Sequence, residues 1–389
     1  MKTCLTHARV ILADDVIEDG SVLIEDGVIR AICPETSNGA QEIRLDGQWL
    51  MPGMIDLHCD AIEKEAEPRA RVMFPLDMAC LNIDRRNAAA GITTPFHALS
   101  FAHAEWGVRN NDTAAELVRS VKRFKEHALV DNRIHVRYEI TDVTAMPYVM
   151  ALLDEGATDM LSIMDHTPGQ GQFRHLETYV AYMMGNHGST REAAEQVAEE
   201  KRQARGSADE RVLQVMARAR ELAVPTASHD DDDHARVAAM KELGARMSEF
   251  PINLETARAA HAAGLATILG APNVMRGGSQ SGNMRAIDAI HAGVADCLCA
   301  DYAPATMLAA VVAMHERDGI ALAEAARLVT LGPARAAGLT DRGEIAAGKR
   351  ADLASIGHPG GHAAVTGTWV AGRQVFNADY RRRTASRGG

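Results

Sequence analysis

Met51-Pro-Gly-Met-Ile-Asp-Leu-His-Cys-Asp60 is the stretch that decides the fold. It is an apolar run that is entered through a Pro-Gly turn and ends on His58 and Asp60. If the run is a strand, its side chains alternate between two faces, so His58 and Asp60 point to the same side. A histidine beside a carboxylate at a strand end is half of a metal site. Other segments are therefore expected to supply the other ligands.

The middle of the chain alternates short apolar segments with helical patterns, which is typical of parallel α/β architecture. Strands are predicted at residues 54–60, 93–98, 134–140, 158–164, 225–229, 246–252, 266–271 and 296–302. Eight strands close a (β/α)8 TIM-like barrel of roughly 250 residues. An open doubly wound sheet is the rival fold, but it would place a glycine-rich phosphate loop after the first strand, where His58-Cys-Asp60 stands.

Both ends of the chain contain short strand-like runs separated by Asp-Gly turns. Chain ends often lie close together, so residues 1–50 and 340–389 are predicted to form one composite β-sandwich domain. Residues 51–339 then form the catalytic barrel. The end of the chain, which includes Arg381-Arg-Arg383, is expected to be a solvated tail.

Composition excludes several classes of function. The net charge of −11 argues against a nucleic-acid partner, because phosphate backbones require clustered positive charge. The six cysteines show no closely spaced disulfide framework, the first residues show no apolar secretion segment, and no run of 18 apolar residues is present. A soluble cytoplasmic protein with reduced cysteines and no membrane contact is expected.

Catalytic groups of such barrels lie at the carboxyl ends of the strands. The polar residues at those ends are His58, Asp60, Glu139, His166, His229, Glu249, Asn273 and Asp301. One such residue alone is more often a hydrogen-bonded cap, but five or more at the ends of eight strands favour a metal site. Zinc or another borderline divalent ion suits imidazole and carboxylate ligands, as one ion or as two.

Some of these residues have alternative interpretations. For His166, metal ligation, substrate contact and a structural loop role are all open. Glu249 ranks below the others because it lies early in its predicted strand. In His229-Asp-Asp-Asp-Asp-His234, the carboxylates from Asp231 to Asp233 are interpreted as solvated groups at a helix N-terminus.

The chain resembles the amidohydrolase superfamily. The general resemblance lies in Leu50-Met-Pro-Gly-Met-Ile-Asp-Leu-His58 and Val329-Thr-Leu-Gly-Pro-Ala-Arg335. More specific motifs are similar to its phosphonate-metabolism branch, the PhnM branch. They are Asp56-Leu-His-Cys-Asp-Ala-Ile-Glu-Lys64, Arg137-Tyr-Glu139, Met164-Asp-His-Thr-Pro-Gly-Gln170, Ala227-Ser-His-Asp-Asp231 and Arg276-Gly-Gly-Ser279.

This resemblance implies a metal-dependent hydrolase that cleaves α-D-ribose 1-methylphosphonate 5-triphosphate and releases diphosphate. One or two ions, zinc or alternatively manganese or nickel, would be held by His58, Asp60, Glu139 and His229, with His166 as a further ligand. Asp301 would orient the attacking water and accept its proton. The partner is then a small anionic phosphorylated substrate, and a homo-oligomer is left open.

Phosphate groups would be met by basic and polar side chains. The candidates are Lys64, Arg69, Asn273, Arg276, Ser279, Ser281 and Asn283. Gly277, Gly278 and Gly282 let backbone N–H groups approach an anion, although a plain barrel turn would use glycines too.

Two departures from the family pattern, His97 and Gln280, lie near the expected substrate side and put the exact substrate in doubt. The alternatives are a superfamily enzyme that cleaves a C–N bond, as a cyclic amide hydrolase or a deaminase, and a catalytically silent barrel used for binding.

Overall fold

The structure is a computed structural model that describes residues 2–34, 39–69, 71–102, 107–169, 175–187, 189–279 and 282–380. The predicted tail, Gln280 and Ser281 lie outside these residues. Two eight-stranded sheets organise the described chain.

The first sheet begins with five strands that precede the barrel. They are β1 (Lys2–Ile11), β2 (Val16–Glu25), β3 (Val28–Ile32), β4 (Gln41–Arg44) and β5 (Trp49–Pro52). β1 pairs antiparallel with β2 and parallel with β4 and β5. Asp26 and Gly27 join β2 to β3 with φ of 51° and 81°, the left-handed pair that a tight hairpin turn requires.

The second sheet is the barrel, and all eight predicted strands are present in it. They are β6 (Met54–Cys59), β7 (Ile92–Phe101), β8 (Arg133–Glu139), β9 (Met160–Met164), β10 (Thr226–His229), β11 (Met247–Glu249), β12 (Ala266–Gly270) and β13 (Cys297–Cys299). Each strand pairs in parallel with its neighbours in chain order. The predicted barrel is therefore confirmed.

Helices surround the barrel. They are α1 (Ala61–Ala66), α2 (Leu76–Ala89), α3 (Asn111–Phe124), α4 (Ala145–Asp154), α5 (Leu176–His187), α6 (Arg191–Arg205), α7 (Ala208–Glu221), α8 (His234–Glu242), α9 (Leu254–Ala262), α10 (Ala271–Arg276), α11 (Ala286–His291), α12 (Thr306–Glu316), α13 (Leu322–Arg327) and α14 (Leu331–Ala336). No described helix is long and apolar enough to cross a lipid bilayer.

The last three strands return to the first sheet. They are β14 (Leu353–Gly357), β15 (Ala364–Val370) and β16 (Arg373–Asn377). β14 pairs antiparallel with β5, so both ends of the chain share one sheet, as predicted. The boundaries of the composite domain at residues 1–50 and 340–389, and of the barrel at 51–339, stay a prediction.

The barrel closes where the chain passes from β6 to α1. The backbone N–H of Asp301 donates to the carbonyl of His58 at 2.8 Å, and the N–H of Asp60 donates to the carbonyl of Asp301 at 3.0 Å. Asp56 adds a side-chain link, because its Oδ1 accepts from the N–H of Ala300 at 2.9 Å. The first and eighth strand ends are thereby held together, which brings His58, Asp60 and Asp301 to one place.

The Pro-Gly turn before β6 requires its glycine. A Cβ atom on Gly53 would lie 2.3 Å from Cγ2 of Thr93 in the neighbouring strand, which is far inside van der Waals contact. Inside the barrel, Cys297 and Cys299 are fully buried among apolar side chains. All six cysteines are free thiols in this structure.

Candidate metal centre

One cavity lies at the carboxyl ends of the barrel strands, and most of the predicted site residues line it. Those that do are His58, Asp60, His166, His229, Asn273, Arg276, Ser279, Asn283 and Asp301. The first and the last of them, His58 and Asp301, are 243 positions apart in the sequence. The barrel therefore brings together the residues that the sequence had only placed at separate strand ends.

A first group of candidate metal ligands consists of His58, His229 and Glu249. Their ligand atoms lie within 4.8 Å of one another, and all three side chains are buried. Nδ1 of His58 lies 3.0 Å from Oε1 of Glu249. The low rank that the sequence assigned to Glu249 rested on a strand that ran to residue 252. β11 ends at Glu249, so this carboxylate stands at the strand end with the other groups.

A second group consists of His166, His229 and Asp230, whose ligand atoms also lie within 4.8 Å of one another. Nδ1 of His166 lies 3.0 Å from Oε2 of Glu139, and its Nε2 lies 3.5 Å from Oδ2 of Asp230. His229 belongs to both groups. The arrangement would suit two neighbouring ions as well as one.

The buried polar atoms of these groups fit a metal ion. Nε2 of His229 and Oε2 of Glu249 are shielded from solvent and form no hydrogen bond with any residue in the described ranges, whereas Nδ1 of His229 lies 3.1 Å from Oδ2 of Asp230. Buried polar atoms are normally paired, because leaving one unpaired costs about 1–3 kcal/mol. Imidazole nitrogens and carboxylate oxygens are the ligands that zinc prefers. The donor set therefore matches the divalent ion that the sequence predicted.

Charges near the second group shift the pKa of its members in opposite directions. Burial by itself lowers the pKa of His166, but the carboxylates of Asp230 and Glu139 outweigh it and raise this pKa to about 9. Burial raises the pKa of Asp230, yet the neighbouring His229 and His166 bring it below its usual range. His166 must lose its proton before it can bind a metal, so metal and proton compete at this residue.

The pKa of His58 shifts in the opposite direction from that of His166, although both side chains are buried. Burial, with the nearby charge of Arg137, holds the pKa of His58 well below its usual value. The imidazole is therefore neutral at pH 7. A neutral imidazole offers its nitrogen lone pair to a metal without first releasing a proton.

The backbone turns sharply at three of these strand ends. Asp230, Phe250 and Asp301 have φ of 55°, 53° and 54°, in the left-handed region that residues other than glycine rarely enter. Such conformations cost on the order of 1–3 kcal/mol each and cluster at functional sites. Asp230 and Asp301 lie directly on the cavity.

Asp60 lines the cavity. Glu139 does not line it, but it contacts His166, which does. Asp60 follows β6 and pairs with Arg109, whose Nη2 lies 3.4 Å from its Oδ2, while Nε of Arg109 donates to Glu63 at 2.8 Å. Glu139 accepts from the hydroxyl of Thr141 at 2.5 Å in addition to its contact with His166. Both carboxylates stay predicted ligands.

The predicted phosphate residues divide into those in the cavity and those outside it. Asn273 lines the cavity, but its amide is occupied by backbone contacts, since it donates to the carbonyl of Met284 and accepts from the N–H of Ala286, both at 2.9 Å. Lys64 and Arg69 are exposed on α1 and on the segment after it, and they do not line the cavity. Ser281 and Gln280 lie outside the described residues.

The cavity residues that escaped the sequence-based prediction include Arg109, Arg137, Tyr179, Lys201 and Asp230. Nζ of Lys201 lies 3.8 Å from Oε2 of Glu139 and 5.9 Å from the ring centre of Tyr179. Both residues belong to the helices α6 and α5, and nothing in their local sequence indicates the site. Arg137 had a signal, because it stands two residues before Glu139 and so on the same face of β8.

The acidic run after β10 is only partly solvated. Asp233 is exposed and accepts from the N–H of Arg236, which is the predicted helix N-terminal role. The prediction was wrong for Asp231, which is fully buried and accepts hydrogen bonds from the hydroxyls of Ser228 and Ser248, the latter at 2.5 Å. Asp231 thus ties the end of β10 to β11, where the ligand candidates are held.

His97 is placed away from the substrate side. It is fully buried in β7 and does not line the cavity, because its Nε2 donates to Oδ1 of Asn132 at 2.8 Å. Burial lowers the pKa of His97 to about 4. This residue therefore has a structural role and does not contact the cavity.

We expect His97 to make the fold sensitive to acid. In the unfolded chain His97 takes up a proton below its ordinary pKa of about 6.5. In the folded protein His97 stays neutral until the pH falls to about 4. The free energy of unfolding is therefore not reduced by His97 above pH 6.5. It falls by about 3 kcal/mol in total as the pH drops from 6.5 to 4. His97→Gln should flatten this part of the profile in urea unfolding measured from pH 7 to pH 4. Identical pH dependence in both proteins would contradict it.

Comparison with known proteins agrees with this geometry. A profile of the amidohydrolase family matches residues 49–375. The alpha-D-ribose 1-methylphosphonate 5-triphosphate diphosphatase of Escherichia coli (strain K12) is 34% identical over 379 residues, which covers 96% of this chain and 100% of that protein. The resemblance to the phosphonate-metabolism branch is therefore confirmed.

Solved structures share the fold at lower identity. The N-acetyl-D-glucosamine-6-phosphate deacetylase of Mycobacterium smegmatis superposes with a TM-score of 0.63 at 18% identity, over 96% of this chain and 100% of that one. The 5-methylcytosine deaminase of Klebsiella pneumoniae has a TM-score of 0.63 at 14% identity, over 97% and 98%. At this identity the likeness concerns the fold alone. With the family match over most of its length, the chain belongs to the amidohydrolase family and is a metal-dependent hydrolase.

Proposed function

We propose that this protein cleaves a phosphoanhydride bond of a ribose 1-phosphonate 5-triphosphate and releases diphosphate. The observation that carries the proposal is the similarity to the Escherichia coli diphosphatase, which extends over 96% of this chain. Similarity over a whole chain includes every strand end of the barrel, where the chemistry of this fold is performed.

The charges in the cavity support an anionic substrate. The chain as a whole carries a net charge of −11, yet four basic side chains line this one cavity: Arg109, Arg137, Lys201 and Arg276. Asp60, Asp230 and Asp301 line the same cavity, and with a bound divalent ion to offset them the basic groups favour a small phosphorylated anion. A cytoplasmic location and a homo-oligomeric state stay predictions.

We assign the metal to the two groups that share His229, with zinc as the ion that fits this donor set best. A bound divalent ion supplies a water of lowered pKa and polarises a phosphoryl oxygen. Asp301, which lines the cavity and whose backbone N–H donates to the carbonyl of His58, would hold the attacking water and accept its proton. Burial raises the pKa of Asp301, with Arg137 opposing that shift, and a higher pKa makes this carboxylate a better proton acceptor.

The departing diphosphate would lie toward the end of α10. Arg276 is the last residue of this helix, and Gly277 ends it with a φ of 72°. Arg276, Ser279 and Asn283 line this side of the cavity and can donate to phosphate oxygens. In this arrangement the ligand residues would hold a metal that polarises the phosphoryl group under attack, and Arg276, Ser279 and Asn283 would receive the leaving group.

We expect the purified metal-loaded protein to release diphosphate from a ribose 5-triphosphate ester and no ammonia from an aminated base. Each reaction is measured as product formed per enzyme with one substrate panel, which also contains a cyclic amide. Protein stripped with a chelator is the control, and it should regain activity when zinc is added.

The same panel tests the alternatives. Ammonia release or ring opening without diphosphate release would replace the proposal with C–N bond hydrolysis. No product from any substrate, with metal bound, would indicate a silent barrel.

A further inference from the structure

Arg137 is a cation inside the site, and the described part of the chain supplies neither an ion pair nor a hydrogen bond for it. The even-numbered residues of β8 pack against the outer helices, so His135, Arg137 and Glu139 face the barrel interior. Arg137 is 7% exposed and lines the cavity.

Two nitrogen atoms of its guanidinium group lack a hydrogen-bond partner among the described residues. Its Nε and Nη1 are shielded from solvent and form no hydrogen bond within the described part of the chain. No carboxylate oxygen of the described residues lies within 4.0 Å of a guanidinium nitrogen of Arg137, so it forms no ion pair with them. Asp60, which shares the cavity, is already paired with Arg109.

Another arginine of the same chain shows how a structural buried guanidinium is satisfied. Arg342 is 5% exposed, and its Nη1 lies 2.8 Å from Oδ2 of Asp131 while its Nε lies 2.9 Å from Oδ1 of Asp341. A buried charge is stabilised only when an opposite charge and hydrogen bonds compensate for its desolvation. Arg342 meets that condition through direct ion pairs, whereas Arg137 has only the more distant charges of Asp60, Glu63 and Asp301 among the described residues.

The position of Arg137 indicates what its partner is. Its neighbour His135 has Nε2 3.8 Å from Oε2 of Glu249 in the first ligand group, and its neighbour Glu139 contacts His166 in the second. Arg137 thus stands between the two groups on one strand face. A planar guanidinium binds two oxygens of a phosphoryl group at once, which makes a phosphate the best-matched anion.

We infer that Arg137 binds the phosphoryl group that lies against the metal centre and neutralises the charge that develops on its oxygens during hydrolysis. The inference rests on the proposed function, and it adds a substrate-binding residue at the reacting phosphorus. It differs from the role of Arg276, which lies at the other end of the triphosphate chain in our proposal.

The test compares R137Q with the wild type, both loaded with metal. We expect kcat on the triphosphate ester to fall by about 100-fold or more, because a group that meets developing charge acts mainly in the transition state. Binding of inorganic tripolyphosphate, measured by titration calorimetry, should weaken by about 10-fold. Bound metal per chain should stay unchanged. In R137A, added guanidinium chloride should restore part of the turnover.

R133Q is the matched control. Arg133 lies on the same strand at the opposite end of the barrel, where it pairs with Asp131 at 3.1 Å, and it does not line the cavity. Its kcat and tripolyphosphate affinity should equal those of the wild type.

Each outcome decides a separate question. Wild-type kcat in R137Q would overturn the role of Arg137 and leave the proposed function standing. Loss of metal from R137Q, or failure of R137Q and R137A to fold, would show a structural role and overturn it as well. If the wild type releases no diphosphate but still binds tripolyphosphate through Arg137, the proposed function fails and the phosphate site stands.

Discussion

His229→Ala is expected to remove the bound metal from both candidate positions and to abolish hydrolysis. His229 is shared by the group with His58 and Glu249 and by the group with His166 and Asp230. A site that loses a ligand from each position cannot hold its ions at micromolar concentration. Turnover should therefore fall by about 1,000-fold or more. Elemental analysis of the desalted variant, together with a diphosphate assay, measures both effects.

Three variants sharpen this result. Glu249→Gln should weaken only the first group, and His166→Ala only the second, so each should retain more metal than His229→Ala. His234→Ala is the control, because His234 is exposed at the start of α8 and does not line the cavity. Full metal content in His229→Ala would exclude both groups as the metal centre.

Asp301→Asn is expected to keep its metal and to lower kcat by about 100-fold or more, because it removes the acceptor for the proton of the attacking water. Asparagine preserves the shape of the side chain. It also tolerates the left-handed conformation of this residue, whose φ is 54°. The backbone hydrogen bonds that close the barrel at Asp301 do not involve the carboxylate and should persist.

Asp296→Asn is the matched control for Asp301→Asn. Asp296 precedes the same strand at the opposite end of the barrel, where its Oδ2 accepts from the N–H of Thr267 at 2.9 Å. Its kcat should equal that of the wild type, even if its stability falls. Undiminished turnover in Asp301→Asn would remove this residue from the mechanism, and loss of metal would make it a ligand instead.

The helices that follow β9 extend the site beyond the barrel. α5 and α6 pack on each other through a small apolar cluster that includes Tyr179, Met183 and Ala198. Lys201 of α6 lies beside Glu139, which contacts His166 of the second ligand group. Burial raises the pKa of Glu139, and the charge of Lys201 helps to lower it below its usual range. Residues of these helices therefore line the cavity together with residues at the strand ends.

The strands could be predicted because parallel barrel strands are buried on both faces and read as short apolar runs. Helices give a weaker signal, and the apolar residues of α5 show no marked periodicity. The ligand candidates were predicted from the strand ends. Glu249 was ranked too low because its strand was predicted to end at residue 252, whereas β11 ends at Glu249.

Pairing between side chains could not be predicted in this way. His97 and Asp231 both lie near strand ends in the sequence, yet one donates to Asn132 and the other accepts from two serines, so both are structural. Arg137 and Arg342 are chemically identical residues with opposite surroundings, one unpaired at the site and one held by aspartates. Only distances between residues remote in the chain distinguish such cases.

The sequence by itself determined the strand positions, the chemical types of the metal ligands and the family, because burial pattern and side-chain chemistry are local properties of the chain. The tertiary structure decided which of those groups share a cavity, which are neutralised by a neighbour, and that Lys201 and Arg137 join them. These properties depend on barrel closure and on helix packing, which set distances through space that no local pattern contains.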